Sequence, residues 1–487
     1  MATTSIRLHN TLTRKVEEFK PIKPGVVSLY TCGPTVYNYY HIGNLRNAVF
    51  NDTLRRTLEA AGYQVKHVMN ITDVGHLVSD ADEGEDKLEK GAAREGKSVW
   101  QVAEHYTEAF KADMAALNVL PPSVNPGRKK NKDDHDSYAR ATDFIPEQID
   151  MVKLLVDKGY AYQTRQAIYF DTSKPLPVGL TPYGALSGQK LADKEIGARS
   201  DVVSDPDKHH PSDFVVWFFT VGRYEDHTMH WPSPWGDGFP GWHLECSAII
   251  HATLGDPIDI HTGGVDHIGT HHPNEMAQTE AAFGHELAGY WAHNEFILVD
   301  GAKMAKSKGN SYTLKDIIDR GFHPLALRLL YLQAHYRSEI NFTWESLEAA
   351  QNRLQRFHAW ADLIFQPGLF PEAQIDLAEP LFDDLATPDA LGKLESIMNT
   401  DPDRASLAVT QTAPSKNMLK EIDELLGLNL CGRANITKDQ TKLISEREAA
   451  RKAKDWATAD KIRNQLVAQK LEIDDTPAGP RWRRTNV

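Results

Sequence analysis

The chain has three cysteines, and none forms a CxxC pair. That odd number argues against a disulfide framework and leaves reduced thiols available as metal ligands. Cys32 and Cys246 have possible co-ligands in His271-His272-Pro273-Asn274-Glu275, where a histidine and a glutamate four residues apart converge if the segment is helical. Thiolate, imidazole and carboxylate are all zinc donors, although a lone strand cysteine is more often a small core residue. Pro273 suits a first helical position, which predicts His271 just before the helix and Glu275 in its first turn. Cys431 has no companion ligand and reads as packing.

Two further segments suit phosphate. His41-Ile42-Gly43-Asn44 stands where a loop enters a helix, so unpaired N–H groups, the positive end of the dipole and an imidazole meet there. Gly43 lets a nucleotide approach the backbone. Lys303, Lys306 and Lys308, bounded by Gly301 and Gly309, form a cationic loop able to follow charge developing on phosphates; its plain reading is a solvated turn. Gly236-Asp237-Gly238-Phe239-Pro240-Gly241 also fits GxGxxG, but it follows Trp231-Pro232-Ser233-Pro234-Trp235 rather than a strand. Pro240 moreover removes a donor, so a dinucleotide site is set aside.

The elements that must position these groups follow from periodicity. Val26–Cys32 reads as a buried strand and Gly33–Ile42 as a loop. Gly43–Ala61 reads as a helix with Leu45, Ala48, Val49, Leu54 and Leu58 on its apolar face, ended by Gly62, and Gln64–Ile71 as a second strand. This β-α-β unit predicts an α/β protein with a parallel sheet, whose ligands sit beyond the strand carboxyl ends, at Cys32–Thr35 and Asn70–Asp73. Asp80–Leu120 reads as helical and charged, and Pro121–Asp136 as an exposed loop. Residues 138–240 look like an insertion with a helix at Ile145–Lys158, and the pattern after Asn310 is almost entirely helical.

With 487 residues, 41% hydrophobic and 25% charged, the chain has the balance of a folded protein of roughly three domains. Leu325–Leu332 is interrupted by Arg328 and falls short of the ~20 residues of a membrane span. Met1–Lys15 has no apolar signal core, so no membrane association and a cytoplasmic address are expected. The net charge is −13, yet residues 441–487 carry 11 Lys and Arg against 7 Asp and Glu, which fits a basic terminal module on an acidic body and, from charge alone, equally an ordinary solvated helix pair.

Taken together, Tyr30–Tyr37 (YTCGPTVY), His41–Asn44 (HIGN), Gly241–Ala248 (GWHLECSA), Gly263–Asp266 (GGVD) before His271-His272, and Lys303–Ser307 (KMAKS) closely resemble the class I cysteinyl-tRNA synthetases in order and spacing. Arg447–Asp460 and Trp482-Arg483-Arg484 resemble that family's anticodon-binding end. The resemblance implies a Rossmann-type catalytic domain at 1–120 and 241–300, split by a connective insertion at 121–240. It further implies a stem-contact region with the lysine loop at 301–340, a helical bundle at 341–430 and a small C-terminal anticodon-binding domain at 431–487.

Carried over by position, Cys32, Cys246, His271 and Glu275 become ligands of one Zn²⁺, and His272 does not. His41, Lys303 and Lys306 become catalytic residues on the triphosphate, with Gly43, Asn44, Gly264 and Asp266 binding ATP. Gly33, Thr35, Asn70 and Thr72 line the adenylate, and Trp242 walls the cysteine pocket. The implied partners are L-cysteine, ATP with Mg²⁺ and tRNA(Cys), and the implied state is a monomer. Asn44 stands where the family motif has a second histidine, Ala305 where it has a serine, and Asn125–Ser137 is extra polar chain. Two other activities fit parts of the pattern: a ligase joining cysteine to an amino-sugar inositol, and a noncatalytic tRNA-binding relative. Trp456 and Trp482 are candidates for stacking on anticodon bases, Trp456 alternatively being buried on a helix Ile444–Gln465.

Overall fold

Val27, Leu29 and Tyr30 are fully buried, as expected of a strand covered on both faces. In the computed structural model this strand, Val26–Thr31 (β1), pairs in parallel with Gln64–Ile71 (β2) over six residues. The helix between them, Ile42–Ala60 (α1), starts one residue earlier than its periodicity predicts because His41 takes the N-cap. The structure describes residues 3–75, 77–79, 83–124, 126, 137–188, 205–304, 309–366, 376–398, 415–476 and 479–485. They fall into two compact units, one of residues 1–115 with 119–296, the other of 116–118 with 297–487.

The first unit is built on a parallel sheet in the order β3-β2-β1-β4-β5, where β3 is Ala139–Arg140, β4 is Ile258–Gly264 and β5 is Ala288–Asn294. This is the doubly wound order, and the reversal between β1 and β4 opens a crevice at their carboxyl ends. Helix Trp242–Thr253 (α2) leads into β4, and helix His271–Phe283 (α3) crosses from β4 to β5. Because Thr270 occupies the N-cap of α3, His271 lies inside the helix and Pro273 at its third position, two residues later than predicted. A proline is tolerated there because first-turn N–H groups have no intrahelical acceptor.

Between β3 and α2 the chain forms helix Ile145–Asp157 and a four-stranded antiparallel sheet of Ala161–Gln163, Ala167–Phe170, Phe214–Phe219 and Gly238–Pro240. Ile168, Phe170, Val216 and Trp217 of this sheet share one apolar core with Leu244 of α2 and Ala277 of α3. A Cβ on Gly238 or Gly241 would lie 2.0 Å from the carbonyl oxygen of Phe218 or Val215. Those glycines therefore permit close strand packing, which accounts for the GxGxxG match without a nucleotide. Most of Asn125–Ser137 lies outside the described residues.

In the second unit Lys303 ends a short strand of a three-stranded sheet, Ile297–Val299, Ala302–Lys303 and Ile340–Phe342. Helices follow, but two sequence readings are corrected. The stretch 444–465 is not one helix: Lys438–Lys452 and Trp456–Ala468 are separated by Lys454 at φ +61°, and Asp455 caps the second through Thr458 N–H. Nor is the end of the chain helical. Leu471–Thr476 and Gly479–Arg484 pair as a hairpin whose alternation buries Leu471, Ile473 and Trp482 against Ile462 and Leu466. Trp482 is thus a core residue rather than a stacking platform, while Trp456 is 57% exposed. Among the described residues no helix is long and apolar enough to cross a membrane.

Candidate active site and metal cluster

Cys32 is the first residue beyond β1, where the parallel ladder ends and side chains face the crevice. Cys246 lies in α2, and His271 and Glu275 lie one turn apart in α3. Packing of α2 on α3 brings all four donor atoms within 4.8 Å of one another, every one of them on a buried residue. His271 Nε2 is 3.5 Å from Glu275 Oε1, and the Trp242 ring stacks on His271 at 4.4 Å. A second set meets the same limit: Cys32, Glu275, His261 of β4 and His272 of α3.

Outer partners orient the rings. His271 Nδ1 is 3.0 Å from His243 Nδ1, whose backbone carbonyl accepts from Gln278 Nε2. His272 Nδ1 is 2.8 Å from His293 Nε2, and His293 Nδ1 is 2.8 Å from Thr11 Oγ1. Each α3 histidine so presents its Nε2 inward, the arrangement in which a second partner fixes ring orientation for a metal ligand. His243, His261, His267 and His293 were not picked out from the sequence. The available signal was that His243, His261 and His267 each fall within two residues of, or inside, a quoted motif block.

The electrostatics suit a cation. Burial acts to raise the Cys32 thiol, but hydrogen bonds with Cys246, His267, His271 and His272 outweigh it and hold Cys32 well below the ordinary thiol range. Burial and the hydrogen bond to Cys32 push Cys246 well above it. At His267 burial is opposed by the charges of Asp266 and Cys32, which carry it up to about 9. Burial drives His272 and His293 down, so both are neutral. Among the described residues Glu275 Oε2 is buried without a hydrogen-bond partner, as a carboxylate awaiting a ligand would be. Donor set, burial and this orphaned oxygen together fit a soft divalent ion.

On the crevice side, Gly33 N–H donates to Asn70 Oδ1 at 2.8 Å, Asn70 Nδ2 to Thr72 Oγ1 at 3.1 Å, and Thr72 Oγ1 to Glu245 Oε2 at 2.8 Å. Thr35 and Thr72 form a parallel bridge. A Cβ on Gly33 would sit 1.8 Å from the Asn70 carbonyl oxygen, so glycine is required for this closure. His41 Nδ1 accepts from Gly43 N–H (3.2 Å) and Asn44 N–H (3.3 Å), and Asn44 Oδ1 accepts from His41 N–H. Neutral His41 accordingly carries its ring proton on Nε2. Gly264 ends β4 and Asp266 follows it, across the crevice from β1; Asp266 Oδ1 occupies the space of a Gly264 Cβ, and the Asp266 side chain is 63% exposed. Lys306 lies outside the described residues, and Lys303 belongs to the second unit.

A doubly wound sheet split by an antiparallel insertion is the fold of class I tRNA synthetases. The methionyl-tRNA synthetase of Mycobacterium tuberculosis in complex with methionyl-adenylate superposes with a TM-score of 0.54 at 14% identity, covering 83% of this chain and 92% of that one. Residues 18–352 match the family described as tRNA synthetases class I (C) catalytic domain. The chain is 44% identical to cysteine–tRNA ligase 1 of Burkholderia lata, over 98% of this chain and 96% of that protein. It is 39% identical to the cysteine–tRNA ligase of Treponema denticola, over 99% and 100%. The chain belongs to the cysteine–tRNA ligase family.

Proposed function

We propose that this chain activates L-cysteine with ATP and transfers it to the 3′ end of tRNA(Cys), with zinc selecting the substrate thiol. The observation that carries the reading is the buried Cys32, Cys246, His271 and Glu275 cluster at the mouth of the β1/β4 crevice. Cys32, Cys246, His271 and Glu275 would hold a zinc ion there, which would supply a Lewis acid that favours a substrate thiolate over a protonated alcohol, whereas shape alone separates near-isosteres by only about 10–200-fold. The chain supplies the pocket wall through Trp242 and holds the adenylate strand-end loops together through the Gly33, Asn70, Thr72 and Glu245 network.

In the first step a cysteine carboxylate oxygen bonds to the α-phosphorus of ATP and pyrophosphate departs with the electrons of the broken P–O bond. In the second, a terminal ribose hydroxyl of tRNA attacks the carbonyl carbon, loses its proton and expels AMP. Neither step needs a covalent enzyme intermediate, so positioning and charge stabilisation carry the catalysis. His41 donates from Nε2 to the triphosphate; Lys303 and Lys306 follow its charge; Asp266 accepts from a ribose hydroxyl. Gly43 and Asn44 bind ATP at the start of α1, where Gly43 lets the nucleotide approach the backbone, and Mg²⁺ would be held mainly by phosphate oxygens. The reading keeps the domain roles given above, a monomer and a cytoplasmic setting.

The test is cysteine-dependent ATP–pyrophosphate exchange with serine as control, followed by tRNA charging. Exchange with cysteine alone, lost in Cys246→Ala, together with charging is the expected result. Exchange without charging would point to a small-molecule acceptor, and no exchange would overturn the mechanism.

A further inference from the structure

Cys32 and Glu275 each belong to two donor sets, one completed by Cys246 and His271 and the other by His261 and His272. In the second set Cys32 Sγ is 3.6 Å from His272 Nε2, His272 Nε2 is 3.8 Å from Glu275 Oε2, and His261 Nε2 is 3.2 Å from Glu275 Oε1. Two ligands of one tetrahedral ion, with bonds of about 2.0–2.3 Å, lie roughly 3.3–3.8 Å apart. The observed separations are therefore close to the edges of a coordination tetrahedron. All four residues are at most 6% exposed. His272 is anchored from behind by His293, and the His261 ring is stacked on Trp291 at 4.8 Å. Rigidly held imidazoles whose Nε2 atoms share a thiol and a carboxylate have the makings of a metal site in their own right.

We propose that Cys32, His261, His272 and Glu275 form a second, overlapping metal site, which retains a divalent ion when the set containing Cys246 and His271 cannot. The proposal rests on the metal reading of the cluster above. Its consequence is an asymmetry. Cys32 and Glu275 are indispensable for holding the ion, whereas Cys246 and His271 are indispensable only for placing it where a substrate thiolate reaches it. The second set offers one sulfur instead of two, so it also tolerates less thiophilic ions better.

The test is Co²⁺ binding to the full-length chain, read by metal content and by thiolate-to-cobalt absorbance. The parent binds one ion per chain. Cys246→Ala is expected still to bind one, with roughly half the charge-transfer intensity because one thiolate remains, while losing pyrophosphate exchange. Cys32→Ala binds none. Adding His261→Gln and His272→Gln to Cys246→Ala abolishes binding, whereas the same pair in the parent leaves it intact. His271→Gln carries the same expectation as Cys246→Ala and serves if that variant fails to fold by circular dichroism. Loss of the ion from folded Cys246→Ala or His271→Gln, or its retention in the triple variant, overturns the proposal. A parent chain that binds no ion would instead overturn the metal reading itself.

Discussion

In the first unit, buried polar atoms at the cluster are left incompletely matched: Glu275 Oε2 and His261 Nδ1 lack a hydrogen bond among the described residues. In the second unit Asp362, equally buried, is matched on both oxygens. Arg433 donates to Oδ1 and Oδ2 at 2.9 Å, and Arg484 Nη1 adds a third contact to Oδ1. Unmatched buried polar groups cost stability and persist where something else is to be bound; a fully paired buried charge serves the fold. The contrast assigns opposite consequences to deleting each.

Cys32→Ser has the largest expected effect. It removes a donor common to both tetrads while keeping nearly the same shape, so the fold should persist. Cysteine-dependent exchange should fall by at least about 10³-fold, and selectivity over serine should collapse toward the roughly 10–200-fold that shape supplies. Exchange kinetics with both amino acids, alongside a thermal melt, check this. A variant that loses several kcal/mol yet keeps its selectivity would show that the cluster serves packing.

Asp362→Ala should do the reverse. Two guanidinium groups would be left without their shared carboxylate, a break that costs about 3–5 kcal/mol when a buried pair loses one partner. Arg484 belongs to the terminal hairpin, and Gln366 holds the same hairpin through Trp482: its Nε2 donates to the Trp482 carbonyl at 2.9 Å. Urea unfolding should therefore lose that amount, and tRNA charging should weaken, while cysteine-dependent pyrophosphate exchange stays near the parent value. A fall in exchange equal to that in charging would break the separation between the two regions.

These two sites were unequally legible in the sequence. The β1-α1-β2 unit was readable because buried parallel strands give continuous apolar runs and Gly62, at φ +91°, stops the helix where an L side chain would be strained. Cys32, Cys246, His271 and Glu275 were legible as donors by residue type, and His271 with Glu275 by spacing, but that all four meet was readable only through motif order, since residues up to 243 positions apart carry no local sign of it. His293 was not readable, because a histidine inside a strand looks the same whether it packs or ligates, and His261 offered only its place two residues before the Gly263–Asp266 block. The terminal hairpin was missed for a related reason. Its alternation of Leu471, Ile473 and Trp482 spans few residues and lies among charges, and Asp362 stands 122 positions from Arg484.

Glu280 sharpens the comparison from a third direction. It is fully buried in α3, and neither carboxyl oxygen has a hydrogen-bond partner among the described residues, yet it belongs to neither tetrad. Burial first, then the charge of Glu286, pushes it up to about 8. A carboxyl raised in the folded state binds a proton that the unfolded chain has already released above about pH 4.5. Stability contributed by this group is thus full below that pH and is lost as pH rises toward 8. Glu280→Gln should flatten the decline between pH 5 and 8, with each kcal/mol visible as about 2–4 °C in the melting midpoint. An unchanged slope would mean that the side chain finds a cation, and that an unmatched carboxylate does not identify a site.

The smallest effect expected is at Asn44, where the family motif has histidine. Asn44 completes a capping box with His41: its side-chain oxygen accepts the His41 N–H at 3.4 Å while its own N–H meets His41 Nδ1. At that length the first bond is weak, so Asn44→Ala should cost about 0.5 kcal/mol, the low end for a cap. The more telling consequence concerns His41. With the box open, Nδ1 still accepts from Gly43 N–H, so the tautomer that puts the proton on Nε2 is kept and the ring merely gains freedom. The KM for ATP should then rise a few-fold with kcat nearly unchanged, the pattern of a group whose orientation has loosened. A kcat loss on the scale of His41→Ala would instead make Asn44 a direct phosphate contact, and Asn44→His, which can both donate and carry charge, would separate these outcomes by raising kcat only in the second case.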